Sequence, residues 1–162
     1  MAAGCDSSRT ESQVEWVPAS GYWQGIASLN AIKGGREVDG RALYVARATH
    51  QGGIHPGKTD GSETHFSYGG MEIRLYTGYE LLVGPRQSLR WVAISGRLTR
   101  GKLDGAIPVR AGNEADGTPL FSARASMYNG VHIGKVKFGG NAHVPYGGRE
   151  RFATEYDVLV HT

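Results

Sequence analysis

Apolar and polar positions alternate in short runs along the chain, and glycine turns separate the runs. After Asp39-Gly40, Leu43, Val45 and Arg47 fall on one side, and Tyr44, Ala46 and Ala48 on the other. An alternation of period two marks a half-buried strand. Tyr79-Glu80-Leu81-Leu82-Val83 is another such run and stops at Gly84-Pro85. Asp39-Gly40, Asp116-Gly117, Tyr68-Gly69-Gly70 and Tyr146-Gly147-Gly148 are turn signals, because Asp bonds its own backbone and Gly accepts a positive φ. Short runs at a spacing of roughly 8–12 residues predict an all-β fold. Residues 21–35 carry Ile26, Leu29 and Ile32 at helical spacing, but the counterpart, 96–112, holds Gly101, Gly105 and Pro108. Those residues oppose a helix, so loop or irregular strand is expected in both places, and no window demands a helix.

The pattern is written twice. Trp16-Val17 matches Trp91-Val92, and Ser20-Gly21 matches Ser95-Gly96. Glu37-Val-Asp39-Gly40 matches Glu114-Ala-Asp116-Gly117, and Gly57-Lys58 matches Gly134-Lys135. His55, His65 and Glu72 recur as His132, His143 and Glu150. Tyr79 through Val83 returns as Tyr156 through Val160. The expected organisation is a disordered tail over 1–13, a first repeat over 14–84, a connector over 85–89 and a second repeat over 90–162. A solenoid normally needs three or more units, and a half of ~75 residues is marginal alone. The prediction is therefore one pseudo-two-fold domain of short antiparallel strands with a shared core. Trp16, Trp91, Tyr79 and Tyr156 are the expected core anchors.

Composition narrows the function classes. The 25 glycines among 162 residues are spread through both repeats, which suits turns and not a linker. Net charge is only +3 despite a pI near 9.1. Lys and Arg are interleaved with acids, and the densest basic patch is Arg97, Arg100, Lys102 and Arg110. A nucleic-acid partner would call for a basic stripe with stacking aromatics, so none is expected. Cys5 stands alone, which allows no disulfide within the chain and fits a reducing compartment. The first residues lack a basic region followed by an apolar run, and Ala2 stands where myristoylation requires Gly. No stretch reaches the ~18–20 apolar residues of a membrane span. The expectation is a cytoplasmic protein without membrane insertion, with non-classical release as a further route.

Several motifs invite chemistry. Gly52-Gly-Ile-His-Pro-Gly57-Lys58-Thr59 fits the phosphate-loop string. That motif works at the start of a helix, whereas Asp60-Gly61-Ser62 follows here, and the second copy keeps only Gly134-Lys135. Nucleotide hydrolysis is not expected. A metal site needs three or four ligands in fixed geometry, and neither Cys-x-x-Cys nor His-Glu-x-x-His occurs, so no metal or other cofactor is expected. His55 and His132 read as turn histidines bonded to backbone or sugar. No nucleophile elbow or convincing acid–base pair is present, so the chain does not read as an enzyme. What remains is an acid and a base per repeat, Asp39 with Lys58 and Asp116 with Lys135, each pair nineteen positions apart. A carboxylate accepts from neighbouring hydroxyls and an ammonium donates to their oxygens, which suits a sugar diol. A surface ion pair, or an Asp serving only its turn, fits the same spacing.

The ordered set of motifs resembles the DM-nine repeat proteins, including the natterin-like mannose lectins of oysters. In the first copy it comprises Glu-Val-Asp-Gly-Arg-Ala-Leu-Tyr-Val-Ala-Arg-Ala, Pro-Gly-Lys, Tyr-Gly-Gly-Met-Glu and Tyr-Glu-Leu-Leu-Val. The second has Glu-Ala-Asp-Gly-Thr-Pro-Leu-Phe-Ser-Ala-Arg-Ala, Ile-Gly-Lys, Tyr-Gly-Gly-Arg-Glu and Tyr-Asp-Val-Leu-Val. The resemblance implies an all-β, pseudo-two-fold body that binds mannose or mannose-containing glycans without calcium. It implies that Asp39 and Lys58, and Asp116 and Lys135, hold the sugar. It also implies a homodimer that recognises microbial glycans. The alternative is a protein-interaction or stress-response scaffold without sugar binding.

Overall fold

The computed structural model describes residues 13–19 and 30–162. The tail expected over 1–13 lies outside them except for Gln13, and so does most of 21–35. Among the described residues, fourteen strands form two series of seven. The first repeat contributes β1 (Glu15–Ala19), β2 (Lys33–Arg36), β3 (Ala42–His50), β4 (Gly53–Thr59), β5 (Thr64–Tyr68), β6 (Met71–Leu75) and β7 (Tyr79–Val83). The second contributes β8 (Leu89–Ser95), β9 (Arg110–Asn113), β10 (Pro119–Met127), β11 (Gly130–Val136), β12 (Ala142–Tyr146), β13 (Arg149–Ala153) and β14 (Glu155–His161). A 3-10 turn (Arg86–Ser88) lies in the connector.

One sequence expectation is corrected. A short helical turn, α1 (Arg100–Leu103), forms within 96–112 despite Gly101. Thr99 caps it by accepting a hydrogen bond from the Lys102 amide, and Asp104 ends it in the left-handed conformation. It is anchored by Leu103, which is buried beside Leu98 and Ile94. Capping and one apolar contact thus override a weak propensity.

The repeats interlock. β2 of the first repeat pairs with β11 of the second, and β9 of the second pairs with β4 of the first. β6 and β13 also pair across the seam. The path β3–β2–β11–β12–β13–β6–β5–β4 returns to β3 and closes an eight-strand ring. β7 with β1, and β14 with β8, extend the sheet outside it. Where the repeats join, the backbones approach so closely that a Cβ on Gly35 would lie 2.1 Å from the Val131 carbonyl oxygen. At Gly112 it would lie 2.1 Å from the Ile54 carbonyl oxygen. Only glycine fits either place.

The core follows the same plan. One apolar cluster belongs to each repeat, centred on Phe66 and Leu81 in the first and on Phe121 and Val158 in the second. A third draws on both, combining Ile32, Leu43, Val45 and Leu82 with Leu89, Val109, Ile133 and Leu159. Trp16 and Trp91 pack on this shared cluster as half-buried anchors. Arg47 lies over the Trp16 ring at 4.3 Å and Arg124 over the Trp91 ring at 4.4 Å. Tyr79 and Tyr156 are buried.

Candidate functional site

β4 and β11 set the site. Pairing with β3 is regular along β4, so His55 and Lys58, three apart, point to opposite faces of the strand. His132 and Lys135 do the same on β11. A histidine on this strand therefore cannot serve the lysine of its own repeat. It serves the other one. Lys58 Nζ donates to His132 Nδ1 at 2.9 Å and to the Pro145 carbonyl at 2.7 Å. Lys135 Nζ donates to His55 Nδ1 at 3.0 Å and to the Ser67 carbonyl at 2.7 Å. All four side chains are buried.

An ammonium has only donors to offer, so each imidazole accepts at Nδ1 and carries its proton on Nε2. Burial and the adjacent lysine charge lower His55 and His132 to about 4, which keeps both neutral. Burial also lowers both lysines from the ordinary lysine value. The carboxylates of Glu72 and Glu37 favour the charge on Lys58, and those of Glu150 and Glu114 favour the charge on Lys135.

The acids are themselves fixed across the seam. Glu72 accepts from His65 Nδ1 at 3.0 Å and from the Gly148 amide at 3.1 Å. Glu150 accepts from the Gly70 amide at 3.3 Å, lies 3.4 Å from His143 Nδ1, and stands 4.0 Å from Lys135 Nζ. Burial pushes the Glu150 carboxyl up, but the His143 hydrogen bond and nearby positive charge outweigh it and bring it down to about 2. The two Tyr-Gly-Gly turns thus clasp each other through the glutamates that follow them.

Two small, equivalent pockets open beside the lysines. The first, ≈ 40 Å³, has Glu37, Arg41, Lys58, Asp60, Glu63 and His65 in its wall. The second, ≈ 50 Å³, has Glu114, Lys135, Lys137, Asn141 and His143. Volumes of this size admit a hydroxyl or a water and not a whole ring. The mouths differ in charge, because Asp60 and Glu63 are replaced by Lys137 and Asn141.

Asp39 and Asp116 sit in exposed turns next to these pockets. Asp39 accepts from the Arg41 amide and from Arg41 Nε, both at 2.9 Å, while Arg41 also reaches Asp60 at 2.9 Å. The Arg41 hydrogen bonds lower its pKa. Asp116 accepts from the Thr118 amide at 2.9 Å, which lowers it likewise. Among the described residues, no hydrogen bond or ion pair joins Asp39 to Lys58 or Asp116 to Lys135. The acids that the two pocket walls have in common stand two positions earlier, at Glu37 and Glu114.

Aromatic rings pack against the buried Lys58–His132 contact. The Tyr146 ring lies 4.7 Å from His132, and Lys58 Nζ stands 5.4 Å from its centre. Tyr128 stacks on Tyr146 at 4.3 Å and 5°, with Arg151 over its own ring at 5.3 Å. Tyr128 is 51 % exposed at φ 51°, a conformation uncommon for a bulky residue. Its counterpart in the first repeat is Gln51, so no such stack forms beside Lys135. There Tyr68 is met by His50 and His55. Sequence reading missed Glu37, Glu114 and Tyr128. The glutamates recur at matched positions, a signal that was available. Tyr128 does not recur and gives none.

The phosphate-loop string is β4 itself, an extended strand with no helix after it. It lacks the curled amides that cradle phosphate.

The duplicated sequence matches a known family. A family model described as DM9 repeat matches residues 5–66 and 60–140. The chain belongs to the DM9 repeat family. No curated protein matches it. Among solved structures it is similar to the nematode sperm cell motility protein MFP2B, with a TM-score of 0.68 at 16% identity. The likeness covers 98% of this chain and 51% of that one, so the chain spans about half its length. At this identity the likeness shows the fold alone.

Proposed function

We propose that the protein binds carbohydrate, as a calcium-independent lectin of mannose type with two sites, acting as a homodimer in glycan recognition. The observation that carries this reading is the environment of Lys58 and Lys135. Each ammonium spends two N–H donors on neutral acceptors of the opposite repeat, which leaves a third for a ligand oxygen at the pocket. Glu37 and Glu114 in the walls, and Asp39 and Asp116 at the rims, supply acceptors for neighbouring hydroxyls. Tyr128, exposed and stacked on Tyr146 beside Lys58, supplies apolar contact for a sugar ring. Each site binds weakly, at about millimolar or ~4 kcal/mol, and several sites per dimer give avidity on a glycan surface.

Calorimetric titration with mannose in the presence of EDTA tests the reading. Binding is expected in the wild type and lost in Asp39→Ala/Asp116→Ala at unchanged melting temperature. A wild type indifferent to mannose and to a glycan array would leave the second reading, a protein-interaction scaffold. The observation favouring that one is the exposure of Met71 and Phe152, at 59 % and 68 %, on the paired strands β6 and β13.

A further inference from the structure

A further cavity lies on the seam, apart from the two lysine pockets. It measures ≈ 330 Å³ and its wall includes Lys33, Arg36, Arg124, Ser126 and Asp157, with the Gly34-Gly35 backbone as one side. Three cations therefore face one carboxylate. That carboxylate is already taken, since Arg124 Nε donates to Asp157 at 2.9 Å. Arg124 is held further by the Gly34 carbonyl at 3.4 Å and by the Trp91 ring, so its guanidinium is fixed before any ligand arrives. Arg36 spends one donor on the Asn129 carbonyl at 3.2 Å and keeps four. Lys33 has no polar partner among the described residues.

The two-fold provides an internal comparison. At the equivalent place Arg47 repeats the role of Arg124, bonding Glu80 at 2.9 Å and the Ala111 carbonyl at 3.5 Å. Arg110 stands for Lys33, but Asn113 stands for Arg36 and Ala111 for Gly34. Only the Lys33 side combines a third cation with a side-chain-free wall.

We infer that this cavity is an anion site for a small phosphate or sulfate monoester. Guanidinium forks match tetrahedral oxyanions through paired donors, and like charges gathered in a recess concentrate an anionic ligand. The volume is at the low end of the ~300–1,000 Å³ of small-ligand sites, which suits a sugar-sized ester and not a polyanionic chain. The Ser126 hydroxyl adds a donor at the wall. This site shares no residue with the lysine pockets.

Calorimetric titration of the full chain with glucose 6-phosphate, glucose 6-sulfate and inorganic phosphate, at ionic strength matched with KCl, tests the proposal. One saturable ester site per chain is expected. Arg36→Asn, which installs the residue of the other repeat, and Lys33→Ala each weaken it ~10-fold. The double variant abolishes it while the melting temperature stays put, because both side chains are exposed. Preference for one ester names the ligand, and equal binding means that charge alone is read. Mannose does not compete, so failure of the lectin reading leaves this result standing. The proposal is overturned if the wild type shows no heat beyond KCl, if the double variant binds like wild type, or if two equal sites appear.

Discussion

Lys58 of the first repeat is hydrogen-bonded to His132 of the second at 2.9 Å, and Lys135 of the second to His55 of the first at 3.0 Å. The two contacts are images of each other under the internal two-fold, and each binds the halves through a buried polar link. Lys58→Met leaves His132 Nδ1 and the Pro145 carbonyl without a donor. Each orphaned buried acceptor costs ~1–3 kcal/mol, so a destabilisation of about 2–4 kcal/mol is expected, at the lower end because a buried charge also goes. A double-mutant cycle with His132→Leu in urea should show a coupling well above the error. Strictly additive losses would mean that the two residues do not interact.

Acid should lower the stability of the protein over two successive pH ranges. The folded chain holds His55 and His132 neutral down to about pH 4, whereas the unfolded chain takes these protons near 6.5. Between those values the unfolded state binds more protons, so stability is full above ~6.5, falls toward 4 and then levels for these groups. Glu150, brought down from 4.5 to about 2, adds a further fall across that lower range. Urea midpoints measured from pH 8 to pH 3 should trace both slopes. His55→Asn/His132→Asn keeps an acceptor for each lysine and should flatten the upper slope only; a slope that survives unchanged belongs to other groups.

Gly35→Ala and Gly112→Ala should each cost more than ~2 kcal/mol, because the new methyl meets a backbone oxygen and not a side chain that can turn away. Gly40→Ala, in a turn with open space around it but at φ 90°, is strained by its own backbone alone. Chemical denaturation of the three variants should rank Gly40→Ala as the mildest.

Neither repeat should fold alone. A fragment of residues 13–84 lacks the β9 and β11 partners of β4 and β2, and keeps only part of the shared cluster. A collapsed amide spectrum is expected for either fragment by NMR. Native-like dispersion in one of them would show that the seam is dispensable.

Much of this fold could be read from the chain itself. The matched Trp, Asp-Gly, Gly-Lys and Tyr-Gly-Gly positions gave the duplication, and period-two runs gave the strands. α1 escaped because Gly101 and Gly105 argued against it, while its Thr99 cap and Leu103 anchor act through local geometry and packing. Sequence reading singled out Lys58 and Lys135 but not the histidines they bond. Lys58 and His132 are 74 positions apart, and Lys135 and His55 are 80 apart, so only the crossing of β2 and β9 into the opposite repeat brings them together. The parity of His55 and Lys58 on one strand was a clue that neither faces the other. Spacing left Asp39 and Asp116 open between sugar ligand and turn residue, and the family resemblance favoured the sugar; neither could show that their carboxylates turn back onto Arg41 and Thr118.

The reciprocal lysine contacts have the form of an isologous dimer interface, in which residue i meets j and j meets i, here fused into a single polypeptide. A dimer of identical subunits must carry any change at both interfaces at once. A single chain carries no such constraint, and the two halves differ at Asp60 against Lys137 and at Gln51 against Tyr128. The buried halves of the two pockets stay alike because each is housed by the other, while their rims differ in charge.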